Sequence, residues 1–263
     1  GTKEFVAWLP TLLGLGATDV VASPAIAYPT YEVGALIAGC QTAPVGSQAA
    51  LTWLNTPANP TGEVLTVEEL RDVVRFARET GSLVVSDECY IELGWDEQPV
   101  SILHPAVSGG DHTGLLALHS LSKRSNLAGY RFGFVAGDPA VVARLLEVRK
   151  HAGMMVPLPV QAAAVAAWSD DEHVRVQREL YARRRDVLRA ALTSAGFRID
   201  ESKAGLYLWA TRDEPCWDTV NHLADRGILV APGDFYGPSG DRHVRVAMTA
   251  SDDAVDLAAQ RLA

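Results

Sequence analysis

The spacing of apolar positions changes period several times along the chain, and each change marks an element. Residues 2–13 repeat their apolar positions at helical spacing and stop at Gly14 and Gly16, so they predict an amphipathic helix. A short strand is expected over 19–22, a turn rich in proline and tyrosine over 24–31, and a helix over 32–38. Residues 51–54 read as a brief buried strand that runs into a rigid turn of Asn, Pro and Gly. Thr66 and Glu69 have capping-box spacing, with Leu70, Val73, Val74 and Ala77 on one helical face and Gly81 as the stop. Residues 83–85 and 115–118 are wholly apolar, as in strands covered on both faces of a parallel sheet. Residues 96–111 carry prolines and glycines and read as a surface excursion. A further strand-like run spans 132–136, and Asp138-Pro139 open a helix to about residue 150. An irregular hinge over 151–159 precedes helices over 161–168 and onward to residue 195. In the last of these, Arg183, Arg184 and Arg185 lie opposite Leu180, Val187, Leu188, Ala191 and Leu192, which predicts a solvated basic face.

From Phe197 onward the elements shorten: a strand over 205–209, a helix over 217–226, a loop over 230–233 and a strand over 244–247. A last helix is capped by Ser251, with Asp252 and Asp253 in its first turn. Strands alternating with helices predict an α/β fold with a mostly parallel sheet flanked by helices. The change of pattern divides the chain into a large unit, residues 1–168, and a smaller α+β unit, residues 169–263.

Composition narrows the function. The 263 residues carry a net charge of −9, which disfavours nucleic acid and anionic membranes as partners. No apolar run has the length of a membrane span. Cys40, Cys89 and Cys216 stand far apart without a C-x-x-C pair, which fits a reducing cytoplasm and gives no zinc site or disulfide framework. The histidines have no metal-ligand spacing, and neither a hydrolase elbow nor a P-loop is present. Gly14-Leu15-Gly16 lacks the strand and third glycine of a dinucleotide fingerprint. Glu88 follows Asp87 on one strand, so the two carboxylates point to opposite faces and cannot share a substrate. The chain opens at Gly1, without methionine and in mid-pattern, and is expected to lack an N-terminal segment.

The chemistry centres on residues 115–133. An apolar strand ends at Ser120 and Ser122, with Lys123 immediately after them and Arg131 eight residues on. A lysine at the mouth of a buried strand is expected to have its ammonium form disfavoured, so that its amine can form a Schiff base with a carbonyl. The serine hydroxyls and the arginine fork suit a phosphate, as does the helix start at Thr2 and Lys3. Tyr28 offers a face to a flat heteroaromatic ring. Asp87 and Tyr90 follow the strand over 83–85, at the sheet end where α/β folds place their ligands.

Ser120-Leu121-Ser122-Lys123 and the following Asn126-Leu127-Ala128-Gly129-Tyr130-Arg131 resemble the pyridoxal-phosphate attachment motif of class I/II aminotransferases. Phe132 is bulkier than the aliphatic residue usual after the arginine. Residues 55–62 resemble the same family's N-P-x-N-P-T-G turn, with Thr56 replacing the first proline. The resemblance covers essentially the whole chain. It implies the fold of these enzymes, pyridoxal 5′-phosphate as cofactor, amino-acid and 2-oxo-acid substrates, and a homodimer. It further implies that Lys123 is the attachment lysine, that Asp87 keeps the ring nitrogen protonated, and that Tyr90 and Asn59 bond the phenolic oxygen. Thr2, Lys3, Ser120, Ser122 and Arg131 then hold the phosphate end, Tyr28 stacks on the ring, and Arg245 clamps the substrate α-carboxylate near Asn59.

The strings GTKEFVAWLPTLLGLG, AYPTYEVGALIAG, SDECY, RKHAGMMVP and ILVAPGDFYGP are similar to N-succinyldiaminopimelate aminotransferases of actinobacteria, which serve lysine biosynthesis. That resemblance implies amino transfer between N-succinyl-LL-2,6-diaminopimelate and 2-oxoglutarate/glutamate with ping-pong kinetics. The alternatives are another amino-acid aminotransferase or carbon–sulfur β-lyase of the same fold, or the aminotransferase-like effector domain of a transcription regulator.

Overall fold

The computed structural model describes residues 1–263. Its main sheet has six strands: β1 (Val20–Ser23), β2 (Gln41–Pro44), β3 (Leu51–Asn55), β4 (Leu83–Asp87), β5 (Leu115–Ser120) and β6 (Gly133–Gly137). Their order is β2-β1-β3-β4-β5-β6, and every pair is parallel except β5 with β6. The fold is thus the mostly parallel α/β arrangement that the alternation predicts. Strands β3, β4 and β5 are buried almost throughout, as two-sided cover by helices requires.

The helices of this part are α1 (Thr2–Leu12), α2 (Thr30–Ala38), α3 (Val67–Thr80), the short α4 (Pro105–Ser108) and α5 (Leu121–Arg124), α6 (Pro139–His151) and α7 (Leu158–Trp168). Phe5, Val6 and Leu9 of α1 pack with Tyr31, Trp53, Leu116 and Leu118 on one face of the sheet. On the other face, Leu70, Val74 and Ala77 of α3 meet Leu54, Val84 and Leu115. The capping box is present, Thr66 Oγ1 accepting from Glu69 N and Glu69 Oε2 accepting from Thr66 N.

Beyond α8 (Glu172–Ser194) a four-stranded antiparallel sheet is built from β7 (Arg198–Asp200), β8 (Tyr207–Thr211), β9 (Ala231–Pro232) and β10 (Val244–Ala247), in the order β7-β8-β10-β9. With α9 (Cys216–Ala224) and α10 (Asp252–Leu262) it encloses a second core, where Leu188 and Leu192 of α8 meet Leu208, Val244, Val246 and Val255. Tyr90 and Leu93, which follow β4, belong to that second core. Backbone bonds from Ser202 to Thr61 and from Ala204 to Gly62 tie the two sheets together. Gly62 has φ +71, and a Cβ there would lie 2.6 Å from the Ala204 oxygen, so the turn that carries Asn59 admits only glycine at this point.

Several expectations change. The strand foreseen over 132–136 is present as β6, shifted by one residue, and it is an antiparallel edge strand with Phe134 exposed. The connection from β5 holds only the four-residue α5 and one further helical turn, with no crossover helix to bring the chain back in parallel. The excursion over 96–111 is not all surface: Ile102 and Val107 are buried beneath α3, and Ile102 N donates to the buried Glu88 carboxylate at 2.8 Å. The basic face of α8 is solvated only in part. Arg183 and Arg184 pair with Asp252, but Arg185 is buried against Asp96 and the Ser202 carbonyl. The strand foreseen over 205–209 begins two residues later, and the loop over 230–233 contributes the short β9. No helix is long and apolar enough to cross a membrane.

Candidate active site

Because β3, β4 and β5 are adjacent and parallel, their C-terminal ends deliver three segments to one edge of the sheet: the Asn55–Asn59 turn, Asp87 to Tyr90, and Ser120 to Lys123. The N-terminus of α1 approaches from one side and β10 from the other. Between them lies a cavity of ≈ 230 Å³. Its wall contains Thr2, Lys3, Tyr28, Asn59, Asp87 and Tyr90, and also Ser120, Ser122, Lys123, Arg131 and Arg245. Every candidate residue from the sequence therefore faces one space. A larger hollow of ≈ 1010 Å³ between β6, α6 and α7 is lined mainly by apolar side chains, so size alone does not locate the chemistry.

At one end of the cavity are donors for an anion. No side chain caps the N-terminus of α1, leaving its first N–H groups free of side-chain partners. The Ser120 hydroxyl caps α5, accepting from Ser122 N at 3.1 Å. Arg131 adopts a left-handed conformation, φ 53, and its Nη1 donates to Ala128 O at 2.7 Å. A Cβ on Gly1 would come within 2.8 Å of Arg131 Nη2, so the guanidinium lies directly against the start of the helix.

The opposite end is carboxylate and aromatic. Asp87 Oδ2 accepts from the Tyr31 hydroxyl at 3.0 Å, and Oδ1 accepts from Cys89 N at 3.2 Å. Burial nevertheless raises the Asp87 carboxyl above its usual range, outweighing these two donors. Burial and the neighbouring Asp87 charge push the Tyr31 phenol and the Cys89 thiol well up, so both stay protonated. The Tyr31 ring stacks on Trp53 at 5.0 Å and meets Tyr28 edge-on at 5.9 Å. Lys3, exposed, has its Nζ 5.8 Å from the centroid of Tyr28.

The raised Asp87 pKa makes a stability prediction. Its folded-state value lies above the unfolded one, so the protein is least burdened below about pH 3.9 and loses stability as pH rises through the raised value. Cofactor-free Asp87→Asn is therefore expected to melt above the parent at pH 7, with the gain vanishing on acidification. Thermal melts across pH test this; a variant that melts lower at neutral pH would contradict it.

Lys123 is half-buried in α5, its Nζ 5.7 Å from the centroid of the Tyr90 ring. The Tyr90 hydroxyl shares a hydrogen bond of 3.1 Å with that of Tyr207, and burial followed by Tyr207 pushes the Tyr90 phenol well above its usual range. Arg245 sits on β10, an interior strand between β8 and β9 rather than an exposed edge. Its guanidinium lies 4.0 Å from the centroid of Tyr207 and 5.2 Å from that of Tyr236, and Nη1 donates to Asn59 Oδ1 at 3.0 Å. Its buried Nε has no partner. Asn59 is held in turn by Asn55, whose Oδ1 accepts from Asn59 N at 2.8 Å and whose Nδ2 donates to Asp87 O at 2.9 Å.

Sequence reasoning passed over Tyr31, Asn55, Cys89 and Tyr207. Asn55 lay within the quoted turn, and Tyr31 within the same tyrosine-rich loop as Tyr28. Nothing in the local pattern around Tyr207 distinguishes it from a packing residue.

Residues 1–262 match the model of the family described as aminotransferase class I and II. The chain is 65% identical to a protein of Mycobacterium tuberculosis named as a probable aminotransferase, covering 100% of the chain and 64% of that protein. It is 59% identical to the 4-dedimethylamino-4-oxo-anhydrotetracycline transaminase OxyQ of Streptomyces rimosus, covering 100% of the chain and 75% of the relative. Among solved structures it superposes with TM-score 0.87 on a probable N-succinyldiaminopimelate aminotransferase of Thermus thermophilus. That match is 27% identical over 100% of the chain and 75% of the other protein.

Proposed function

The chain belongs to the class I and II aminotransferases, and on that premise we propose that it transfers an amino group between an amino acid and a 2-oxo acid. The family's cofactor is pyridoxal 5′-phosphate, and the donor set in the cavity fits it: an uncapped helix start with Arg131 against it at one end, a buried carboxylate at the other, and a lysine between. Bound there, the cofactor would supply an electron sink for the substrate Cα–H bond. Thr2, Lys3, Ser120, Ser122 and Arg131 would hold the phosphate, and Tyr28 would cover the ring. Asp87, ionised opposite a cationic ring nitrogen, would keep the proton on that nitrogen. Tyr90 and Asn59 would bond the phenolic oxygen. Lys123 Nζ would anchor the cofactor, then take the Cα proton and return it, while Arg245 grips the α-carboxylate.

One observation carries this reading. The carboxylate of Asp87, the amine of Lys123 and the guanidinium groups of Arg131 and Arg245 share a single small cavity although they come from separate parts of the chain. Asp87→Asn is expected to lower kcat strongly with a smaller change in KM, because the ring nitrogen loses its counter-ion while the substrate contacts remain. An unchanged kcat, measured by steady-state kinetics, removes Asp87 from the mechanism.

The finer proposal is that the amino substrate is N-succinyl-LL-2,6-diaminopimelate, with 2-oxoglutarate/glutamate as the partner pair. The quoted sequence strings and the structural likeness to the Thermus thermophilus protein support it. The 59% identity to OxyQ favours a second reading, in which the partner is a polycyclic oxo compound. A substrate panel on the full-length enzyme decides, scoring amino transfer to 2-oxoglutarate against release of ammonia and pyruvate. Transfer from the succinylated diamino acid above all other donors supports the first; preference for a polycyclic acceptor, or β-elimination, replaces it.

The same reading keeps residues 1–168 as the cofactor-binding unit and residues 169–263 as the smaller unit, which the two separate sheets support. The exposed side chains of Leu146, Met155, Leu158 and Val165 support a homodimer, and three free cysteines support a cytoplasmic location.

A further inference from the structure

Tyr207 touches both halves of the candidate site, yet neither the sequence motifs nor the proposed reaction gives it a part. Its hydroxyl meets that of Tyr90 at 3.1 Å, and the Arg245 guanidinium lies 4.0 Å from its ring centroid. It is buried, and β8 pairs with β10 in a register that places Tyr207 opposite Ala247, two residues from Arg245. A guanidinium over an aromatic face is attracted by the ring quadrupole and keeps its N–H edge free for hydrogen bonds. Here that edge already has one fixed bond, to Asn59 Oδ1, while Nε is buried without a partner. The ring therefore sets the plane of the fork, and the hydroxyl bond to Tyr90 sets the ring.

We propose that Tyr207 is a positioning residue that orients the Arg245 fork toward the substrate α-carboxylate. The inference rests on the reading of Arg245 as the carboxylate clamp. Tyr236, at 5.2 Å, is the second aromatic neighbour of the guanidinium but is more distant and ends a single 3-10 turn, Gly233–Tyr236, so it does not replace Tyr207.

The test uses full-length holoenzyme and 3-phenylpropionate, a monocarboxylate without an amino group, whose dissociation constant is read from the absorbance of the bound cofactor. Tyr207→Phe, which keeps the ring and frees it from Tyr90, is expected to weaken binding about threefold, the low end for one lost hydrogen bond. Tyr207→Leu, which removes the platform, is expected to weaken it about thirtyfold, the scale of a desolvated cation–π contact. In an Arg245→Ala background neither substitution should have a further effect, a non-additivity that a merely structural role would not produce.

Kd within the parent's error in Tyr207→Phe and Tyr207→Leu, with Arg245→Ala still weakening binding, overturns the role of Tyr207 and leaves the clamp standing. Effects that add in full to Arg245→Ala overturn it as well. Should Tyr207→Leu fail to fold, Tyr207→Phe decides alone. If Arg245→Ala itself binds 3-phenylpropionate normally, the clamp reading fails and the inference falls with it.

Discussion

Lys123→Ala is expected to lower kcat by roughly 10²–10⁴-fold, the contribution of a positioned proton-transfer group. The cofactor should still bind through Arg131, Ser120 and Asp87, so the variant separates retention from turnover. Competing lysines are distinguished by their surroundings. Lys150 is paired with Glu147 at 2.6 Å, and Lys203 with Glu97 at 3.0 Å, a bond that raises the Lys203 pKa and holds it as an ammonium. Lys3 is exposed over Tyr28, whereas Lys123 lies half-buried at the mouth of β5 against the Tyr90 ring. Borohydride reduction of the yellow full-length protein followed by peptide mapping should place the label on Lys123. A label on Lys3, Lys150 or Lys203 would overturn the assignment.

Arg245→Ala carries the second large effect. A carboxylate held by an arginine fork gains two parallel charge-assisted bonds, and breaking one side of such a desolvated pair costs about 2–5 kcal/mol. At about 1.4 kcal/mol per factor of ten, the loss in kcat/KM is roughly 30-fold to several thousand-fold. It should fall alike on every amino-acid and oxo-acid substrate, since all present the α-carboxylate, and should spare simple amines. Arg245→Lys should also weaken amino-acid use, because an ammonium retains the charge without the planar fork. Single-turnover rates with glutamate and with an alkylamine of matched length provide the comparison. Equal slowing of both substrates would make Arg245 a structural residue.

The Arg245 geometry shows where sequence reading reached its limit. Its contact with Asn59 spans 186 residues, and the Tyr31–Asp87 and Tyr90–Tyr207 bonds span 56 and 117. The family resemblance singled out Asn59, Asp87, Tyr90 and Arg245 one at a time. It held no information on which side chain would meet which, because those meetings depend on strand order and on how the second sheet packs against the first.

By itself the sequence determined what local chemistry controls. The Thr66–Glu69 capping box and the buried strands β3, β4 and β5 were legible, because periodicity and capping act within a few residues. Tertiary structure alone decided the rest. The antiparallel β6, the burial of Ile102 and Arg185, and the Asn55, Tyr31 and Tyr207 bonds that hold the site each require a partner distant in the chain. An arginine on a polar helix face reads as solvated until Asp96 and the Ser202 carbonyl close over it. A tyrosine within an apolar strand reads as core until a guanidinium comes to rest on its ring. The physical reason is the same in both cases: desolvation and hydrogen bonding are set by whatever packs against a side chain, and chain neighbours do not specify that.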